Sequence, residues 1–476
     1  MMFLTIENFG PIKKFEYDLS KDLIVTYGGN NIGKSYAMQI AYLLLKNLYL
    51  YATQPTISIF HLDISLEKLP LYQKIQAFVQ GFSEGTEQSI SITKLVEDVA
   101  KKDLYDTFVL SFIASCENTF GNFSQIRKRS PKIELKMNDK TDDKIILSLS
   151  LHSLSVDAFI SLHIGTPIFL KRKANNTPDS KPVETDIDRR TVYYAGDIAD
   201  TSKNISAYAH FFKLLYAATI YSMLGPIYFL PASRSGLYLS LSAFGSMYTQ
   251  MSMQRGVLGK NLPLAAIPEP IADYFLSLSS VRKAENQDFS EIYGKIERDI
   301  LKGTVRFDEN KLVYQADGLE YPLEMMEASS MVAEVSPIVA FLKYVLRNAA
   351  PPSDSDEKTP PPRPIIFIEE PEAHLHPENQ IKLAELFAHL HESGVRLVMS
   401  SHSNYLFNKF NNLLLGGELT PDVYSAIVLK EDEDGKSVSA FMETNELGVD
   451  DMNFMDAAES LYNEREELID KLNERG

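Results

Sequence analysis

Residues 26–35 read TYGGNNIGKS, and directly before them stands the apolar run Leu23-Ile24-Val25. Gly28-Gly29-Asn30-Asn31-Ile32-Gly33-Lys34-Ser35 satisfies the pattern G-x-x-x-x-G-K-[ST] between a strand-like run and a helix-like one, KSYAMQIAYLLLKNLYLYA. A loop whose amides converge on one point must visit φ > 0, which glycine does freely and asparagine tolerates. A helix that starts near Lys34 aims its free N–H groups and positive dipole end at the same point. This is the chemistry of a triphosphate cradle. Backbone groups of Gly28, Gly29, Asn30, Asn31, Ile32 and Gly33 would wrap the phosphates, Lys34 would reach the β- and γ-phosphates, and the Ser35 hydroxyl would face Mg²⁺.

A hydrolytic phosphate site also needs acids on the metal side. The apolar run Ile365-Ile366-Phe367-Ile368 ends in Glu369-Glu370. Adjacent side chains leaving a strand point to opposite sides. Glu369 is therefore assigned to the metal and Glu370 to the attacking water. A further run, Arg396 to Ser400, leads into Ser401-His402-Ser403, which places His402 past a strand end as a sensor of the γ-phosphate. His374 and His376 sit two apart after a proline, which does not match the helical i, i+4 pair of a zinc site.

Around these motifs the chain is ordinary for a large folded protein: 476 residues, 45% hydrophobic, 23% charged. A net charge of −17 argues against a surface that coats nucleic acid throughout, although it leaves room for a local basic patch. The single cysteine, Cys116, has no partner for an internal disulfide and reads as a small buried hydrophobe. MMFLTIENFG has no positive n-region and alternates like a strand, and no stretch reaches the ~20 apolar residues of a membrane span. The expectation is a cytoplasmic protein without a membrane partner.

The pattern predicts strands at FLTIENF, GPIKKFEYDL and DLIVTYG, then a buried helix from Lys34 to about Ala52. Strand-like stretches follow at KIELKMN, KIILSLSLHSL and AFISLHIG. Helical patterns occupy about 203–224 and 239–302, and TVRFDENKLVYQADGLEYPL reads as a hairpin. Residues 349–364 are a proline-rich linker. ENQIKLAELFAHLHESG predicts a helix with Gly394 as its cap. AIVLKEDEDGKSVSAFME turns at Asp434-Gly435, and the chain closes on a helical pattern with Leu461, Leu468 and Leu472 on one face. Apolar strands alternating with helices at both ends imply an α/β fold around a mostly parallel sheet, with a lobe inserted in the middle.

Together, YGGNNIGKS, IIFIEEPEAHLHP and VMSSHS resemble the ABC-type ATPase heads of the SMC, RecF and OLD (overcoming lysogenisation defect) group. The run of Ala373, His374, Leu375, His376 and Pro377 is closest to the OLD-like branch. IYFLPASRSG, residues 227–236, resembles a further segment of these ATPases. The resemblance covers the two ends, about 40% of the chain. It implies a P-loop NTPase fold, an ABC-ATPase head with a mixed central sheet flanked by helices and an inserted helical and β lobe. The corresponding division is 1–60 and 365–476 for the two parts of the ATPase core, 61–335 for the inserted lobe and 336–364 for a helix end and linker. It also implies ATP and Mg²⁺ as ligands and two heads that sandwich the nucleotide. In that arrangement Ser329-Ser330, with Glu334 one turn on, would meet the γ-phosphate held by another copy; a plain N-capping pair is the alternative.

The chain departs from the family in four places. Glu369 stands where the family has Asp, and Met331 replaces the signature glycine. Ser233-Arg234 occupies the place of the Q-loop glutamine, where Arg234 either touches phosphate or pairs with a carboxylate. The middle carries no long heptads. About 70 residues follow His402, too few for the Toprim nuclease domain of full OLD proteins. The function this implies is an ATP-hydrolysing switch that controls a separate effector, plausibly a nuclease, in antiphage defence. One alternative is a DNA repair ATPase, with RKR at 127–129 and KRK at 171–173 as candidate DNA contacts. Another is a scaffold that ATP locks without hydrolysis.

Overall fold

The computed structural model describes residues 1–53, 89–139, 142–172, 183–186, 190–194, 217–240, 267–279, 285–308, 311–346, 362–445, 448–449, 462–466 and 468–469. Most of the proline-rich stretch, the helical pattern at 203–216 and most of the terminal helix lie outside these residues. The chain forms two compact units. One comprises Met1–Phe9, Ile40–Ile227 and Asn348–Pro364, and the other Gly10–Gln39, Tyr228–Arg347 and Ile365–Gly476. The fold is α/β, a large mixed sheet flanked by helices.

In the second unit the strands lie in the order Ile227–Leu230, Ile365–Glu369, Arg396–Ser401, Leu23–Gly28, Tyr424–Glu431, Ser437–Phe441, Ile12–Asp18. Three neighbours decide the site. The acidic strand Ile365–Glu369 runs parallel to the histidine strand Arg396–Ser401, with Glu369 opposite Ser400. The histidine strand runs parallel to the loop strand Leu23–Gly28, with Ser401 opposite Tyr27. Their carboxyl ends therefore emerge side by side, the edge where open α/β sheets bind ligands. Every residue of the acidic and loop strands is buried, which explains why they read as unbroken apolar runs.

Helices cover this sheet. The side chain of His376 accepts the Glu378 amide at 3.4 Å and Pro377 occupies the first turn, so the residues HP start the helix Pro377–His389. Ser403 likewise caps the helix Asn404–Leu415, its Oγ accepting the Leu406 amide at 3.1 Å. Leu383, Phe387, Phe407 and Phe410 pack with Tyr27, Leu397 and Met399 in one core. The helix after Pro377 stops at His389, earlier than Gly394 suggests. From Leu390 the amides bond three residues back, which tightens the chain into successive turns, and Gly394 closes them at φ +77. The expected hairpin forms between Gly303–Asp308 and Lys311–Ala316. Tyr424–Glu431 turns back through Gly435 onto Ser437–Phe441.

The first unit pairs Met2–Phe9 with Lys132–Asn138, which continues antiparallel to Lys144–Leu151 and Val156–His163. Alternate residues of the central strands are buried, as a one-sided core requires. Cys116 is fully buried in the helix Leu110–Thr119. Asp143 is also buried and is held by both terminal nitrogens of Arg190. The Arg127 guanidinium donates to the carbonyls of His152 and Ser155, and Lys173 lies outside the described residues. No helix among the described residues is long and apolar enough to cross a membrane.

Candidate nucleotide site

The loop after the strand Leu23–Gly28 is shaped by backbone that ordinary residues avoid. Gly28 has φ +143, and a Cβ there would lie 2.7 Å from the Leu429 carbonyl. Gly33 has φ +95, and its Cβ would meet Pro11 at 2.8 Å. Asn31 is left-handed at φ +61. The first bond of the following helix runs from the Ala37 amide to the Gly33 carbonyl, 3.0 Å. The earlier amides of this turn and the positive helix end thus face the loop. Gly29, Asn30, Asn31 and Ser35 are exposed around it, whereas Gly28, Ile32, Gly33 and Lys34 are buried.

Lys34 folds back over its own loop. Its Nζ donates to the carbonyls of Gly28 at 2.9 Å and Gly29 at 2.7 Å. It also lies 2.8 Å from His402 Nε2. An ammonium can only donate, so that nitrogen accepts and the ring proton sits on Nδ1. Burial lowers the Lys34 pKa to about 8, against the opposing pull of Glu370 and Glu372. Burial, and then the Lys34 charge, lowers that of His402, which Glu370 partly counters. His402 Nε2 lies 3.7 Å from Glu370 Oε1, so lysine, histidine and glutamate form a line across three adjacent strand ends.

Glu369 and Glu370 part company as adjacent strand-end residues should. Glu369 is 5% exposed. Its Oε2 accepts the Ala232 amide at 3.3 Å, and its Oε1 has no hydrogen-bond partner among the described residues. Burial raises its pKa, while the Ser35 hydroxyl and the Ala232 amide pull it down. A buried carboxylate oxygen without a partner beside a serine hydroxyl is a hard oxygen donor set, the kind Mg²⁺ uses together with phosphates and water. A cation held by Ser35 and Glu369 would take its remaining ligands from phosphates and water. The Glu370 side chain is 41% exposed. Its backbone is left-handed at φ +42, a costly conformation for a glutamate.

Two further groups shape this edge, of which Glu372 was given no role from the motifs. Glu372 is buried and accepts the Ser401 hydroxyl at 2.7 Å and the His402 amide at 2.6 Å, which fixes the turn that carries His402. The third acid of EEPE was the available signal. Arg234 is fully buried, and of its two expected fates it takes the pairing with a carboxylate, Glu334. Ser329 caps the helix Ser330–Ala340 through its Oγ, 3.4 Å from the Val332 amide. Ser329 and Ser330 are both exposed, and His374 is exposed at φ +63.

Comparison with known proteins agrees with a nucleotide-binding class. A family model described as "AAA ATPase domain" matches residues 1–217. One described as "AAA domain, putative AbiEii toxin, Type IV TA system" matches residues 345–408. Similar solved structures include an Smc head bound to the C-winged helix domain of ScpA, at 12% identity and TM-score 0.38, covering 93% of this chain and 97% of that one. The SMC head domain from Thermotoga maritima gives 9% and 0.35, covering 93% and 98%. The Smc head domain with an extended coiled coil bound to the C-terminal domain of ScpA, from Pyrococcus furiosus, gives 12% and 0.37, covering 98% and 100%. No curated protein matches the chain. Over residues 1–217 and 345–408 the chain is thus similar to AAA-type ATPase domains, a class that binds nucleotide and ordinarily Mg²⁺.

Proposed function

We propose that this chain binds and hydrolyses Mg-ATP and uses the cycle to regulate a separate effector protein. The observation that carries this reading is the convergence of Lys34, Ser35, Glu369, Glu370 and His402 at the carboxyl ends of three adjacent parallel strands. On binding, Lys34 exchanges the carbonyls of Gly28 and Gly29 for phosphate oxygens, and the loop amides take the β-phosphate. Ser35 and Glu369 would hold Mg²⁺, which would supply charge neutralisation on the phosphates. Glu370 orients a water and accepts its proton as the oxygen attacks the γ-phosphorus. The bond to the bridging oxygen breaks, and ADP and phosphate leave. His402, neutral and freed of Lys34, shifts its ring proton to Nε2 and donates it to a γ-phosphate oxygen.

Exposed Ser329-Ser330 at the start of a helix suits a second copy that delivers its γ-phosphate there, so the proposed active form is an ATP-bound dimer or higher oligomer. The toxin-antitoxin description of the family model over residues 345–408 favours a role in defence; the nuclease effector rests on the resemblance of the three motifs alone. The experiment is phosphate release by the purified chain and by Glu370→Gln, with the mass of each form measured by light scattering with and without Mg-ATP. Turnover that is lost in the variant, with an ATP-dependent rise in mass, supports the reading. A wild-type chain that releases no phosphate overturns it.

A further inference from the structure

Arg234 is a charged side chain with no exposure, placed where no phosphate can reach it. Its donors are fully used, and their targets belong to two functional elements. Nη1 donates to the carbonyls of Glu369 at 2.8 Å and Pro231 at 3.1 Å. Nη2 donates to the carbonyl of Glu370 at 3.2 Å and lies 3.5 Å from Glu334 Oε2. Nε donates to the Glu334 carbonyl at 3.1 Å. The Arg234 amide meets Glu334 Oε2 at 2.9 Å. The amide and hydroxyl of Ser235 meet Glu334 Oε1 at 3.2 and 2.5 Å. Glu334 thus accepts from one segment through both oxygens, one turn into the helix that Ser329 begins.

A planar guanidinium with a fixed fork of donors is suited to hold several acceptors in one geometry. Here it holds consecutive peptide carbonyls of the two acids at the end of the sheet, at the point where Glu370 departs from extended backbone. A strained residue persists only where its surroundings over-determine it. Among the described residues the other backbone ties on Glu370 are its amide to Ser400 O, 3.1 Å, and the Ala373 amide to its carbonyl, 3.1 Å. The Ala232 amide from the same segment as Arg234 reaches Glu369 Oε2. Residues 232–235 therefore touch both acids on one side and Glu334 on the other.

We propose that Arg234 is a positioning residue: it ties the helix beginning at Ser330 to the backbone of Glu369-Glu370, so that the placement of that helix sets the orientation of the hydrolytic carboxylate. This rests on the proposed hydrolysis for its consequence but not for its mechanics. The test uses Arg234→Lys, which keeps the charge and loses the fork, and Glu334→Gln, which leaves the donations to the acid carbonyls in place and weakens the helix side. Steady-state phosphate release, Mg-ATP binding by calorimetry and hydrogen exchange of the nucleotide-free protein are measured on both.

Both variants are expected to lose about tenfold or more in kcat, because a small misplacement of a reacting group has that size of effect. Affinity for Mg-ATP and KM should stay within about twofold, since the cradle at 28–35 is untouched. Exchange should rise in peptides that carry the Glu370 amide and in those that carry residues 330–336. The proposal is overturned by wild-type kcat in the folded variants, or by unchanged exchange at Glu370. A loss of binding parallel to the loss of kcat also overturns it. Should the wild-type chain release no phosphate, the hydrolytic reading alone falls, and the exchange measurement still decides the tether.

Discussion

Binding of Mg-ATP above neutral pH should take up a proton, and Lys34 sets the amount. Burial holds the free side chain at about 8. At about pH 9 roughly one-tenth of it is charged, and at about pH 7 roughly nine-tenths. Phosphate oxygens brought into the loop stabilise the ammonium, returning its pKa to or above the ordinary 10.5. The bound state therefore holds more protons than the free state between these two values. Uptake should rise from about 0.1 proton at pH 7 to about 0.9 at pH 9, and affinity should fall by most of a factor of ten per pH unit there. His402, whose pKa is lowered, is neutral in free protein throughout this window and starts no competing titration. The assay is calorimetry in two buffers of different ionisation enthalpy, with Lys34→Arg as the control that stays charged. Uptake below about 0.2 proton at pH 9, or equal uptake by Lys34→Arg, would refute the reasoning.

Glu370→Gln should cut phosphate release by about 10²–10⁴-fold and leave Mg-ATP binding intact, as single-turnover and binding measurements would register. Gly28→Ala should destabilise the protein by about 1–3 kcal/mol in urea unfolding, because a Cβ there combines positive φ with a 2.7 Å approach to the Leu429 carbonyl. Gly29→Ala, which meets nothing within 4 Å, should leave nucleotide-free stability unchanged within about 0.5 kcal/mol. In the first unit, Arg190→Ala leaves the fully buried Asp143 without its guanidinium and should cost about 3–5 kcal/mol, read by thermal unfolding.

The convergence of the candidate site's strand ends was legible because its parts are local. A glycine-rich turn, a pair of acids and a histidine each end an apolar run, and parallel strands bring such ends together without further information. What escaped depends on distant partners. Whether Arg234 would meet phosphate or carboxylate was undecidable before Glu334, one hundred positions away, was seen folded against it. His374 and His376 stand too close in sequence to resemble a helical metal pair. The actual work of His376, capping the helix at Pro377, shows only when the backbone turns there. The sequence around Glu372 carries no sign of its donors, and only the turn around His402 supplies them. The helix that stops at His389 misled for a different reason: its apolar periodicity persists through turns bonded three residues back.

The central claim is that the loop at 28–35 and the acids at 369–370 grip one nucleotide. A crystal structure of Glu370→Gln grown with Mg-ATP tests it most directly. The account predicts the γ-phosphate within hydrogen-bond distance of Lys34 Nζ and His402, and Mg²⁺ bound to Ser35 Oγ and a Glu369 oxygen. A nucleotide seated elsewhere, or a Lys34 still closed on the Gly28 and Gly29 carbonyls with ATP present, would contradict it.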